Sequence, residues 1–373
     1  LNPKHAAAYY HRGLAHVDLA ELEQALADLS SAIELNLEHA QAYYHRGLAH
    51  AELGHVQPAI TDLSTTIELN PKHAAAYYHR GLAYAELDLV QSAIADFDAA
   101  IELNPEHPDA YYQRGIAYAG QRQFEQAIAD LSTDISLNPA HTDAYYHRAD
   151  AFASLREFQQ AIADYSTVIE LDPEHADAYF QRGMAHSRQG EAEQCIADLS
   201  QTIELEPQHG DAYYSRGLAH AGRGDLEPAV VDLSTAIELE PKNADAHYNR
   251  GLVYQQLGEL ALAVADYTTA IELNPDQASI FYHRGLAYAE LGELEPANLA
   301  PTVLAQAIAD FGTVIELDPN HVDAYRQRGL AHASREELEQ ATADLSAAIA
   351  LDPDHAGTHY HRGLAYAELD LVQ

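Results

Sequence analysis

The chain is 373 residues long and carries a formal net charge of −38, with only three lysines among its 20 basic residues. Such a charge repels phosphate backbones and anionic headgroups, so nucleic acid and membrane surfaces are not expected partners. The single cysteine, Cys195, excludes an internal disulfide and a thiol cluster, and no apolar run approaches the ~18 residues of a membrane span.

An internal period then organises the chain. Arg12-Gly13, Arg46-Gly47, Arg80-Gly81 and Arg114-Gly115 follow one another at intervals of 34 residues, and the series continues at Arg148, Gly183, Gly217, Gly251 and Gly285. It then jumps 44 residues to Gly329 and resumes at Gly363, so eleven repeats are present, one with ten extra residues. The repeats start near 6, 40, 74, 108, 142, 176, 210, 244, 278, 322 and 356, and a single solenoid over 1–373 is expected. In each, Tyr9, Gly13 and His16 and their equivalents share one face of a first helix, while Ala25, Leu29 and Ala32 share a face of a second. Leu69-Asn70-Pro71 and Leu103-Asn104-Pro105 close the second helix, because proline lacks a donor and turns its predecessor away from helix. Glycine, as at Gly54, Gly190, Gly258 and Gly292, or a charged residue is expected to make the turn between the two helices. The ten extra residues, near 298–307, are expected to protrude as a loop, with Pro301 allowed in a helix only within its first turn.

The pattern Tyr9-x2-Arg12-Gly13-x2-His16, then Ala25-x3-Leu29, then a closing proline, resembles the tetratricopeptide repeat signature, and later copies (Tyr77, Gly81, Tyr84, Ala93, Phe97, Pro105) resemble it more closely. The likeness spans the whole chain. It implies an all-α fold, an α-solenoid winding as a right-handed superhelix, with first helices lining a concave groove that binds protein. Two departures recur: tyrosine mostly replaces the family's tryptophan, and arginine stands where the family usually has leucine.

That arginine is present in all eleven repeats and aspartate is equally regular in the second helix. The two columns predict an internal ladder, since a guanidinium out of water needs a carboxylate and takes it bidentately. Its central members are Arg46, Arg80, Arg114, Arg148, Arg182 and Arg216 with Asp62, Asp96, Asp130, Asp164, Asp198 and Asp232. The remaining carboxylates make the exterior strongly acidic. The candidate partner-binding groove carries Tyr10, Tyr44, Tyr78, Tyr112, Tyr146, Phe180, Tyr214, Tyr248 and Tyr282. On the same stripe lie Leu48, Leu82, Leu218, Leu252 and Leu286, a column interrupted by Asp150. The alternative reading is that the tyrosines pack on one another between repeats.

Histidine, 23 copies, recurs in fixed columns whose spacings of five and six do not suit a helical metal site; only His355 and His359 do. No catalytic grouping, phosphate loop, cofactor or metal site is expected, and Cys195 stands in the small-residue column of Ala25 and Ala59. Asp134, a charge in the column of Ala32, Thr66 and Ala100, has no explanation in the sequence. The last repeat lacks its second helix and Leu1-Asn2-Pro3 reads as the close of a preceding repeat. Both ends therefore read as interrupted, which favours end-to-end assembly into an elongated filament, with a monomeric adaptor as the alternative.

Overall fold

A computed structural model describes residues 5–294 and 300–372. Its described residues form 21 helices and no strand, an α-solenoid of antiparallel hairpins. The chain falls into two compact units, Leu1–Ala185 and His186–Gln373. The first contains the hairpins α1 (Ala6–Asp18) with α2 (Leu22–Leu35), α3 (Ala40–Glu52) with α4 (Val56–Leu69), and α5 (Ala74–Glu86) with α6 (Val90–Leu103). It continues with α7 (Pro108–Gly120) and α8 (Phe124–Leu137), then α9 (Thr142–Ser154) and α10 (Phe158–Leu171), and reaches α11 (Ala176–Gln189). The second holds α12 (Ala192–Leu205), α13 (Gly210–Arg223) with α14 (Leu226–Leu239), and α15 (Ala244–Gln256) with α16 (Leu260–Leu273). It ends with α17 (Ala278–Leu294) and α18 (Ala300–Leu317), α19 (Val322–Ser334) and α20 (Leu338–Leu351), and α21 (Ala356–Val372).

The hairpin closes on a glycine. A β-carbon at Gly81 would stand 2.7 Å from the Phe97 ring, and one at Gly217 2.9 Å from Leu233 Cγ, so only glycine lets the two helices approach this closely. Leu29, Leu63, Phe97 and Leu131 are fully buried in that column, each contributing about 1.5–3 kcal/mol by leaving water. Ala25, Ala59 and Ala93 are likewise fully buried, and Cys195 takes their place in the same column at 1% exposure, its thiol pushed up by burial.

Turns between the two helices need a left-handed residue. Gly54, Gly190, Gly224 and Gly258 supply it, but Ala20, Asp88, Arg122, Arg156 and Glu336 adopt the same positive φ, between 57° and 62°, with a side chain present. The closing Asn70 accepts the Lys72 N–H through its side-chain oxygen at 3.3 Å, which ends the second helix before the proline turn.

The extra residues correct two expectations. Residues 298 and 299 lie outside the described residues, but Ala300 onward is helical, so the segment lengthens α17 and α18 to 17 and 18 residues instead of looping out. Pro301 lies in the first turn, where its missing donor costs nothing. Gly292 is not a turn residue: it is buried within α17, where a β-carbon would meet Leu304 at 2.8 Å. The glycine contact of Gly285 with Phe311 is thus repeated seven residues later on α17 and seven residues earlier on α18.

Candidate functional site

Arginine sits at mid-height on each first helix, facing the second. Arg46 donates through Nε and Nη2 to Asp62, both at 2.7 Å, and the same fork recurs at Arg80 with Asp96, Arg148 with Asp164 and Arg250 with Asp266. Arg114 with Asp130 and Arg216 with Asp232 complete the same geometry. The fork survives the longer hairpin, where Arg284 meets Asp310. Arg46 and Arg80 are held above their ordinary value by the carboxylate hydrogen bond, and Asp28 is held below its own by Arg12. Most of the guanidinium groups also lie over the tyrosine three residues earlier, Arg46 over Tyr43 at 5.5 Å and Arg148 over Tyr145 at 5.6 Å, whereas Arg284 lies over Phe281 and Arg250 over Tyr254.

The third guanidinium arm does something the sequence columns left unread. Nη1 of Arg46, Arg80, Arg148, Arg182 and Arg216 donates to Ser30, Ser64, Ser132, Ser166 and Ser200, at 2.9 to 3.0 Å, on the second helix of the preceding repeat. One side chain thereby ties three helices. Asp98 replaces the serine beneath Arg114 and forms an ion pair with it. A serine column in phase with the arginines was the available signal. Asp198 is buried in the aspartate column, with His186 Nε2 at 3.8 Å.

The second tyrosine column lies at the border between repeats. Tyr10, Tyr44, Tyr78, Tyr112, Tyr146, Phe180, Tyr214, Tyr248 and Tyr282 are all half-buried, as are Leu48, Leu82, Leu218, Leu252 and Leu286. The tyrosines do not stack on one another along the column. Several rings meet histidines of the next repeat, Tyr44 with His73 at 4.5 Å and His79 at 5.9 Å, Tyr112 with His141 at 4.6 Å, Tyr146 with His175 at 5.1 Å, whereas Tyr214 accepts from the Asn249 amide at 3.1 Å. A cavity of about 230 Å3 opens beside this stripe, walled by Ala85, Val90, Gln113, Ile116 and Ala117.

Those histidines also cap helices. The Nδ1 atoms of His39, His73, His209 and His321 accept the N–H three residues on, at 3.1 to 3.3 Å, a role Asn243 fills in the second unit. Burial pushes His45, His73, His79, His147 and His283 below the ordinary imidazole value. Histidine columns that spacing dismissed for metals are therefore structural. His355 caps Thr358, and His359 donates to the Pro353 carbonyl at 2.8 Å.

Asp134 is wholly buried. Its Oδ2 accepts from His141 Nδ1 at 2.7 Å, while its Oδ1 has no partner among the described residues, and burial raises its carboxyl above the usual range. His141 is thereby diverted from the capping its equivalents perform.

Profiles described as TPR repeat match residues 149–190, 221–258 and 331–370. Profiles described as tetratricopeptide repeat match 10–63, 52–111, 97–129, 180–233 and 244–277. No curated protein matches the chain. Among solved structures, YrrB, described as a TPR protein with an unusual peptide-binding site, is 25% identical over 50% of this chain and 97% of its own, with a TM-score of 0.48. MamA from Desulfovibrio magneticus is 23% identical over 46% and 96%, with a TM-score of 0.44. A tetratricopeptide repeat protein from Parabacteroides merdae is 19% identical over 69% and 98%, at 0.47. None of the helices among the described residues is long and apolar enough to cross a membrane.

Proposed function

We propose, since this chain belongs to the tetratricopeptide-repeat family, that it is a non-catalytic scaffold whose first helices hold a segment of another protein along their tyrosine and leucine columns. The observation that carries this reading is the state of the tyrosines. Tyr78, Tyr112 and Tyr146 are half-buried, so one ring face rests on histidine while part of each ring remains open. Their hydroxyls have no hydrogen-bond partner among the described residues. Rigid rings with open faces and free hydroxyls are what binding surfaces favour, because little side-chain freedom is lost on contact. Protein, not nucleic acid or membrane, is the partner class that the net charge of −38 supports.

Replacing Tyr78, Tyr112 and Tyr146 together with serine is expected to abolish capture of peptides in fluorescence anisotropy while circular dichroism stays unchanged. Normal binding by the triple variant, or loss of helix content with it, would refute the groove.

A second reading, assembly of copies into a filament, draws on α21. There Tyr360, Leu364 and Tyr366 are 63%, 45% and 47% exposed, an apolar face able to take another copy. Sedimentation at rising concentration tests it: a monomer at every concentration removes this reading.

A further inference from the structure

One position of the candidate groove breaks the apolar column with a charge. Where Leu48, Leu82 and Ile116 precede it, Asp150 stands in the place that Ile116 holds at the wall of the 230 Å3 cavity one repeat earlier. Its carboxylate accepts the Tyr165 hydroxyl at 2.6 Å and faces His147 Nδ1 at 3.9 Å. Tyr165 is a phenol in the buried column of Leu29, Leu63 and Leu131, as is Tyr267, whose hydroxyl donates to Gln255 instead.

No arginine or lysine among the described residues answers this charge. Arg148, two residues away, is fully committed to Asp164 and Ser132. His147 is held toward its neutral form by burial, and burial also raises the Asp150 carboxyl itself. The side chain nevertheless keeps 42% exposure, so a partner can reach it.

Aromatic rings lie near the groups that contact Asp150. Tyr146 lies 5.8 Å from Tyr165, and Tyr112 lies 6.0 Å from His147, the residue that faces Asp150. Two further carboxylates, Asp143 and Asp177, are exposed, and their charge acts on Tyr112 and Tyr146 respectively. A reachable carboxylate without a counter-ion, close enough for its charge to act on Tyr146, is a receptor for a cation: the carboxylate supplies charge and hydrogen bonds, and a tyrosine ring supplies its negative face.

We propose that Asp150 is the counter-charge for a lysine or arginine side chain of a basic protein segment lying along the first unit's groove, with Tyr112 and Tyr146 flanking the cation and Asp143 and Asp177 receiving neighbouring basic residues. This rests on the reading of that groove as the partner site. A net charge of −38 on the chain steers such a segment toward it.

The test is fluorescence anisotropy at physiological ionic strength with a labelled peptide of alternating lysine and serine, and with its glutamine-for-lysine counterpart. The lysine peptide is expected to bind and the glutamine peptide not. Asp150→Leu, combined with Tyr165→Phe so that no hydroxyl is stranded, restores the ordinary column residues and is expected to weaken binding by about tenfold. Glu125→Gln, on exposed surface of α8, is expected to leave it unchanged. Unchanged affinity in the Asp150 variant, or no binding of the lysine peptide by the parent chain, overturns the inference. If Tyr112→Ser with Tyr146→Ser abolishes binding where the Asp150 variant does not, the groove stands and the cation site falls. If neither variant matters, both fall.

Discussion

Removing Asp164 measures what the arginine column costs when it is left alone. Asp164 takes two guanidinium bonds from Arg148, both 2.7 Å long, and the pair is mostly out of water, with side-chain exposures of 18% and 9%. Asp164→Ala leaves a cation that cannot discard its proton, and stranding one partner of a buried pair costs about 3–5 kcal/mol. The lower end applies here, about 3 kcal/mol, because Arg148 keeps its bond to Ser132 at 2.9 Å and some contact with solvent. Stacked repeats unfold partly independently, so the loss is best read locally, as amide exchange in α9 and α10. There, 3 kcal/mol means roughly a hundredfold faster opening. Glu52→Ala, on an exposed position, is expected to stay within about 0.5 kcal/mol of the parent. Arg148→Leu added to Asp164→Ala removes the orphan charge and is expected to recover part of the loss. Exchange rates in Asp164→Ala equal to those in Glu52→Ala would sink the reasoning.

Two further outcomes follow from the same geometry. His73 caps α5 through an unprotonated Nδ1, and burial, among Gln41, Tyr44, His45 and His79, depresses its folded value below the unfolded one of about 6.5. Its contribution is therefore complete above that pH and lost as pH falls through the depressed value; the thermal midpoint should drop with acidification less steeply in His73→Asn, and equal slopes would contradict this. Asp134→Thr should stabilise by roughly 1–2 kcal/mol in thermal melts, since it removes a stranded oxygen and Thr66 in the same column bonds the Asp62 carbonyl at 2.9 Å; an unchanged or lower midpoint would contradict it.

The helical hairpins were legible because eleven copies average out local ambiguity, and Gly13, Ala25 and Leu29 repeat at fixed offsets whatever their neighbours do. The longer hairpin was not. Glu295-Pro296-Ala297 resembles the start of a second helix, and Gly292 resembles the turn glycines, yet Leu304 packs onto Gly292 seven residues before Phe311 packs onto Gly285. Helical continuation there is decided by a contact between segments, which periodicity within one segment does not contain. Charged residues were expected at some turns, as at Asp88, Arg122 and Arg156, but not their left-handed backbone, since the surrounding hairpin imposes a conformation their side chains disfavour. For the site, the tyrosine, arginine and aspartate columns could be read as columns. The serine arm and the histidines could not, because a regular residue looks like mere repetition until its partner's direction is known.

Repetition also gives the irregular positions their meaning. A repeat chain states its folding requirement many times over, so a residue that breaks a column is not there to satisfy the common packing. Asp98, Asp134 and Asp150 are three such charged breaks, and they fall within three successive repeats of the first unit, whereas the Tyr165 phenol recurs in its column at Tyr267. Asp98 is absorbed by Arg114, and Asp150 and Tyr165 by one another. Asp134 is only half absorbed, leaving one oxygen bare in the interior. Each replaces a side chain that other repeats bury at no electrostatic cost, and local rules are broken most often where function requires it. The charged breaks adjoin the stretch proposed above to hold a basic segment, where the tyrosine column runs beside Asp143, Asp150 and Asp177.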